Sequence, residues 1–287
     1  MPELSPLPPV VIEPVIRRAL EEDFGAAGDV TANLLVPEKN TARLYFRSRS
    51  DGVIAGMQAA RMTCAMVDAT IEFGIRKGDG VSVKPGDIVA TADGPVRSML
   101  MAERTVLNFL GRLSGIATLT SKYVDLVKGT RARIAATRKT TPGLRVLEKH
   151  AVLAGGGYTH RQTLSDAILI KDNHIALSGG IENALVGVMK HADHMVRISI
   201  EVDTLEQLKH ALPYGPHVVL LDNMTPDRLR EAVEIVNRFY GPRPTLEASG
   251  GVNLDTVKAI AEAGIDVISV GAITHSATNF DIGLDAS

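Results

Sequence analysis

Residues 196–271 read VRISIEVDTLEQLKHALPYGPHVVLLDNMTPDRLREAVEIVNRFYGPRPTLEASGGVNLDTVKAIAEAGIDVISVG. Short apolar runs (VRISIEV, HVVLLD, TLEAS, DVISVG) alternate with segments of helical spacing (TLEQLKHAL, PDRLREAVEIVNRF, NLDTVKAIAEAG). Repeated β-then-α units imply parallel strands joined by helices, hence an α/β barrel or an open doubly wound sheet. The same rhythm extends back through RARIAA, LRVLEKHAVLA, DAILI and IENALVGVMKHA to Gly129.

Before Gly129 the pattern differs. A Pro-rich arm over the first ten residues precedes a helix expected from Pro14 to about Phe24. TARLYFRSR, IEFGI, VSV and IVATA then alternate in polarity between Asp-Gly, Lys-Gly-Asp-Gly and Lys-Pro-Gly-Asp turns, as antiparallel strands do. A long helical region follows from about Ser98 to Lys128, with a break expected near Ser114-Gly115. The expected fold class is α/β: an N-terminal α/β domain over residues 1–115, then a β/α barrel-like domain over 116–272. Residues 273–287 are candidates to pack back on the first domain.

Composition bounds the function. With 45% hydrophobic and 22% charged residues, this is an ordinary soluble enzyme composition. A pI near 6.5 argues against a dedicated nucleic-acid binder. No apolar run reaches the ~20 residues needed to cross a bilayer. The start, MPELSPLPPVV, does not read as a signal peptide, so a cytoplasmic location without membrane attachment is expected. Cys64 is alone, and reads as a buried structural thiol.

Charge is unevenly distributed. Between Arg131 and Lys171 stand eight cations and two acids, a balance of +6 in a chain of net −2. Such a concentration suits an anion pocket. Arg131, Arg133, Arg145 and Lys149 read as solvated surface. Thr137, Arg138, Lys139, Arg161 and Lys171 fall after strands or glycines, where a barrel carries its active site. Arg is a planar fork and Lys a point charge, a pair suited to a small polycarboxylate.

Later strand ends carry polar residues that a buried strand does not need: Glu201, Asp222, Ser249 and then Gly271. In a β/α barrel these face the active-site rim. The competing reading has Glu201 and Asp222 capping the helices that follow. Ser249-Gly250-Gly251 and Gly271-Ala272 are placed to bring backbone N–H groups to phosphate at helix starts. Two carboxylates beside phosphate call for a hard cation such as Mg²⁺, so a pyrophosphorylated sugar fits. His191 and His194 have metal-like spacing but read as surface residues.

TRKTTPGLR, GGGYTHR, LIKDNHI, IEVDTLEQL, LLDNM, EASGGV and DVISVGAITHSA, with ALEEDFGAAGDVT, AERTVLNFL and LSGIATLT, closely resemble the quinolinate phosphoribosyltransferase (nicotinate-nucleotide pyrophosphorylase) family from about Val15 to Ala277. The resemblance implies an N-terminal α/β sandwich domain followed by an incomplete β/α barrel. It also implies a homodimer with shared active sites, and decarboxylating phosphoribosyl transfer to quinolinate in de novo NAD biosynthesis. Phosphoribosyl pyrophosphate would be co-substrate with Mg²⁺, and no organic cofactor is needed. By the same resemblance Thr137, Arg138, Lys139, His160, Arg161 and Lys171 line the quinolinate pocket, and Arg104 reaches in from the partner subunit. Glu201 and Asp222 hold Mg²⁺ and the ribose diphosphate. Ser249, Gly250, Gly251 and Gly271 take phosphate, Val270 and Ala272 beside Gly271 are substrate-binding, and Lys139, Lys171, Glu201 and Asp222 are the catalytic set. Ala135-Ala136, Thr163 and the extra Ala in Gly25-Ala26-Ala27-Gly28 depart from the family pattern and bear on loop shape. Three other readings stay open on the residues alone: a Schiff-base aldolase acting through Lys171, a relative of the same fold with a different substrate, and a non-catalytic anion-binding module.

Overall fold

A computed structural model describes residues 4–286. The first elements are α1 (Pro9–Phe24), α2 (Val30–Leu35), β1 (Thr41–Ser48), β2 (Gly52–Val53), α3 (Met57–Val67), β3 (Glu72–Ile75), β4 (Ser82–Val83), β5 (Ile88–Pro95) and α4 (Val96–Leu126). Then come β6 (Arg133–Ala136), α5 (Arg145–Ala154), β7 (Tyr158–Thr159), β8 (Ile168–Ile170), α6 (Asp172–Ser178), α7 (Ile181–His191), β9 (Ile198–Val202), α8 (Leu205–Ala211) and β10 (Val218–Asp222). The last are α9 (Pro226–Arg238), β11 (Thr245–Ser249), α10 (Val257–Glu262), β12 (Val267–Ser269), α11 (Ala272–His275) and β13 (Ile282–Asp285). They divide into two compact units. One comprises the residues up to 121, 140–156 and those from 273 on; the other comprises 122–139 and 157–272.

The first unit holds an antiparallel sheet of order β13-β1-β5-β3 and the small pair β2-β4. Its core gathers Phe46, Ile54, Met57, Val89, Val106 and Leu110. Cys64 belongs to this core, and burial pushes its thiol up to about 12, so it is inert packing. Helix α1 begins at Pro9, earlier than expected, with Pro14 inside it. Proline costs one helical bond there. The buried stripe Ile12, Ile16 and Leu20 offsets that cost by packing. Of the expected arm, residues 1–3 lie outside the described residues, residues 4–8 precede the helix, and Leu7 is tied to the Gln58 amide by two hydrogen bonds.

Helix α4 runs unbroken through Ser114-Gly115, against expectation. Glycine here serves contact: a Cβ at Gly115 would stand 2.1 Å from the Thr278 carbonyl oxygen. Ser114 Oγ accepts from the Ala55 N–H at 3.0 Å.

The second unit is a seven-stranded parallel sheet, order β7-β6-β12-β11-β10-β9-β8. Among the described residues the end strands β7 and β8 do not pair, so the β/α barrel is open. This is the expected fold class. Buried Ile200, Leu246 and Ala248 alternate along their strands with polar residues, while in β10 the run Val219, Leu220 and Leu221 is buried throughout and only Asp222 is polar. Two details differ from the sequence reading. Helix α6, in DNHIALS, was not foreseen, being only 7 residues long. Helix α10 begins at Val257, after a turn in which the Asn253 side chain accepts from the N–H groups of Asp255 and Thr256.

Candidate active site

Parallel register decides which side chains share a face, because residues paired across strands point the same way. Leu169 pairs with Ser199, Glu201 with Leu220, and Asp222 with Ser249. Glu247 pairs with Leu220 and Val267, and Ser269 with Ala135. Steps of two then put Lys171, Glu201, Asp222, Glu247, Ser249, Ser269 and Thr137 on one face of the sheet. The polar row foreseen at the strand ends exists.

Contacts within the row are direct. Lys171 Nζ lies 2.6 Å from Glu201 Oε2. Ser249 Oγ donates to Asp222 Oδ1 at 2.8 Å, and Asn223 Nδ2 donates to Asp222 Oδ2 at 2.7 Å. Neither acid caps a helix: α8 is capped by Thr204, which accepts from the Gln207 N–H, and α9 by Thr225, which accepts from the Arg228 N–H. The capping explanation for Glu201 and Asp222 therefore falls away. Lys171 is ion-paired and not held in the apolar pocket that an imine-forming lysine uses.

The cationic residues follow β6 and β7. Thr137 Oγ1 accepts from the Lys139 N–H at 3.0 Å, shaping the turn that carries Arg138 and Lys139. Arg161 Nη1 donates to the Ala167 carbonyl at 2.9 Å. Burial, then the nearby charge of Arg138, holds the Arg161 guanidinium below its ordinary range, with Asp166 opposing. Two guanidinium groups within electrostatic reach form an arrangement that a dianion would relieve. Arg104 lies on an exposed position of α4.

Of the two glycine turns, Gly271-Ala272 stands at the start of α11 as expected, and Gly250-Gly251 differs. Gly250 and Gly251 both have positive φ, at 86° and 61°. Five residues separate this turn from α10, so it is a free-standing backbone turn and not a helix start. Val270 is buried, its N–H bonded to the Ala135 carbonyl at 2.9 Å, while Gly271 and Ala272 are half-buried.

The sequence reading missed Glu247. It is 4% exposed and accepts a hydrogen bond from Ser269 Oγ. Its Oε2 lies 3.8 Å from His160 Nε2. Burial chiefly, with the charge of Glu201 adding, raises its carboxyl to about 7, against the Ser269 hydrogen bond. An acid at the centre of the apolar run TLEAS was the available signal. Asn223, after Asp222 in LLDNM, was also passed over.

Of the residues read as solvated surface, Arg131 pairs with Asp266 at 2.5 Å and Arg133 stacks 4.8 Å from the Tyr158 ring centre. Arg145 Nε donates to Thr140 Oγ1 at 2.9 Å. Lys149 was misread: it is fully buried, because α5 is enclosed around Leu147, Glu148, Ala151 and Val152 as well. His191 and His194 are exposed, and the described residues contain no cluster of three or more His, Cys, Asp or Glu suited to a metal.

Family models for the N-terminal and C-terminal domains of quinolinate phosphoribosyl transferase match residues 29–114 and 116–285. The chain belongs to the quinolinate phosphoribosyl transferase family. Within that family, the nicotinate-nucleotide pyrophosphorylase (carboxylating) of Mycobacterium leprae is 41% identical over 272 residues, 94% of this chain and 95% of that protein. The crystal structure of NadC from Streptococcus pyogenes is 35% identical with a TM-score of 0.93, covering 98% of each chain. The nicotinate-nucleotide pyrophosphorylase from Ehrlichia chaffeensis is 38% identical, TM-score 0.90, covering 95% of this chain and 97% of that one. No helix among the described residues is long and apolar enough to cross a membrane.

Proposed function

We propose that this chain transfers the phosphoribosyl group of phosphoribosyl pyrophosphate to the ring nitrogen of quinolinate. Carbon dioxide and pyrophosphate leave, and nicotinate mononucleotide is formed for NAD biosynthesis. The observation that carries this reading is the shared row of Lys171, Glu201, Asp222 and Ser249 at the strand ends of a chain that both family domains match. Arg138, Arg161, Lys139 and Lys171 orient the two ring carboxylates, and positioning of this kind supplies several kcal/mol. Positive charge grows on the ribose as its C1–O bond breaks. Glu201 and Asp222 stabilise it or align the hydroxyls. After nitrogen attack the pyridinium accepts the electrons left by decarboxylation, so no organic cofactor is required. The ring carbon then takes a proton, and His160, just after β7, is a candidate to assist that transfer or to hydrogen-bond the substrate. The Ser249-Gly250-Gly251 turn and Gly271-Ala272 take phosphate, while buried Val270, whose N–H is bonded to the Ala135 carbonyl, holds the second of these turns in place.

The donor set fits Mg²⁺. Glu201 and Asp222 offer only hard oxygen ligands on adjacent strands, and Mg²⁺ is typically bound by one or two carboxylates plus substrate phosphates. When bound with the diphosphate, the ion supplies charge neutralisation of the leaving pyrophosphate. A domain to residue 115 and a barrel domain over 116–272 divide the work in sequence, although residues 116–121 and 140–156 group with the first unit, and the pairing of β13 with β1 supports assigning 273–287 to the first. The homodimer follows the same reading, with Arg104 completing the partner's site; its exposure on α4 supports this. A reducing cytoplasm suits a chain whose single cysteine is buried.

The test is an assay of carbon dioxide release from quinolinate and phosphoribosyl pyrophosphate, with and without Mg²⁺ and with nicotinate as the alternative acceptor. Metal-dependent turnover of quinolinate alone is expected. Turnover of nicotinate in its place defeats the reading. For the shared site, mixed Arg104→Ala and Lys139→Ala proteins should regain activity in hybrid dimers. Exchange of subunits without recovery speaks against it.

A further inference from the structure

We infer that Asn223 is a positioning residue that locks the Asp222 carboxylate and the Ser249–Gly251 turn into one unit for the phosphoribosyl substrate. The inference rests on the reading that Asp222 engages the ribose diphosphate.

Asn223 has φ 52°, the one non-glycine residue with positive φ among those described. Left-handed backbone is unfavourable for residues with a Cβ, and Asn tolerates it best because its short amide can bond locally. The Asn223 N–H donates to the Ser249 carbonyl at 2.9 Å, one rung past the end of β10. From there the left-handed backbone folds the side chain back, so that Nδ2 reaches Oδ2 of the preceding residue at 2.7 Å. With Ser249 Oγ on Oδ1, each oxygen of Asp222 has its own donor, and the carboxylate cannot rotate without breaking both bonds.

The glycine turn is fitted to the same side chain. A Cβ at Gly250 would stand 2.2 Å from Asn223 Oδ1, 2.5 Å from its Cγ and 2.9 Å from its backbone nitrogen. Gly250 is thus needed to admit Asn223, apart from any phosphate that approaches the turn. One side chain therefore sets both the angle of an acid that meets the sugar and the place of a backbone turn suited to phosphate. None of these bonds involves Arg138, Arg161 or Lys171, so the dicarboxylate should not sense Asn223.

Calorimetric titration of the whole protein, in Mg²⁺, measures phosphoribosyl pyrophosphate and quinolinate binding separately. Asn223→Gly keeps the backbone freedom and deletes the amide; its Kd for phosphoribosyl pyrophosphate should rise about tenfold, as one charged hydrogen bond is lost. Asn223→Asp keeps the shape but sets a carboxylate against Asp222, and should weaken that binding more. In both variants quinolinate affinity should stay within about twofold. Equal loss for both ligands would mean general disorder of the site and overturns the inference. Asp222→Asn separates the remaining cases. If it weakens phosphoribosyl pyrophosphate binding while the Asn223 variants do not, the inference fails alone. If Asp222→Asn binds as the parent does, the reading of Asp222 fails and the inference with it.

Discussion

Each unit of this chain builds a carboxylate into a cluster of donors, but for different ends. In the first, Glu148 is fully buried and its oxygens are met from within: Arg112 at 2.7 Å, the Thr141 hydroxyl at 2.7 Å and the Thr141 N–H at 3.0 Å. Arg112 goes on to donate to the carbonyls of Ala277 and Thr274, so one guanidinium ties α4 to residues 141–148 and 274–277. In the second unit Asp222 is half-buried, and of the Lys171–Glu201 pair the lysine side chain is 46% exposed and the glutamate side chain 12%. A desolvated pair cannot lose a partner without stranding a charge, whereas a solvated pair exchanges partners cheaply. The first cluster is therefore structural, and the second is open to ligand.

Arg112→Ala should draw the contrast most strongly. It strands buried Glu148 and should cost about 3–5 kcal/mol in urea unfolding, the usual result of breaking a buried pair.

Glu247 tests whether burial can also govern an acid on the polar face. Its carboxyl is raised to about 7 from 4.5, so between those pH values the folded chain holds a proton that the unfolded chain releases. Stability should therefore fall as pH rises through that window, by about 3 kcal/mol in all. Glu247→Gln should remove the slope: the variant gains on the parent at pH 8 and matches it near pH 4 in denaturant titrations. A parent slope left intact in the variant would assign the dependence to other groups.

Lys171→Ala should invert the Arg112 result. Turnover is expected to drop about 100-fold through lost substrate positioning. Stability should fall by only about 1–2 kcal/mol, less than for Arg112→Ala, because the lysine side is solvent-screened although the Glu201 side chain is only 12% exposed. A large loss of stability would merge the two clusters into one class. Thr225→Ala sets the small end of the scale: about 1 kcal/mol from the lost cap of α9, with turnover unchanged. A drop in turnover there would mean that the cap also positions Asp222.

Much of the site could be read in one dimension. Glu201, Asp222 and Ser249 stand where apolar runs stop, and a polar residue at the end of a buried strand needs an explanation that sequence alone can raise. Asn223 and Glu247 lay in plain view but their meaning did not. Glu247 is tolerated mid-strand because Ser269, on the adjacent strand, donates to it. Asn223 depends on Gly250, whose missing Cβ makes room for its amide. Lys149 looked solvated because its helix was taken to have a wet face. Gly115 looked like a break because the carbonyl that uses it belongs to Thr278.

By itself the sequence determined the alternation of strands and helices, the acids and glycines at the strand ends, and the gathering of cations between Arg131 and Lys171. These are local properties of hydrophobic period, backbone preference and charge, carried by neighbouring residues along the chain. Tertiary structure alone decided which carboxylates became stranded from water and which stayed within reach of a ligand. Desolvation and donor supply depend on residues such as Arg112 and Glu148, or Glu247 and Ser269, that meet only when the chain is folded.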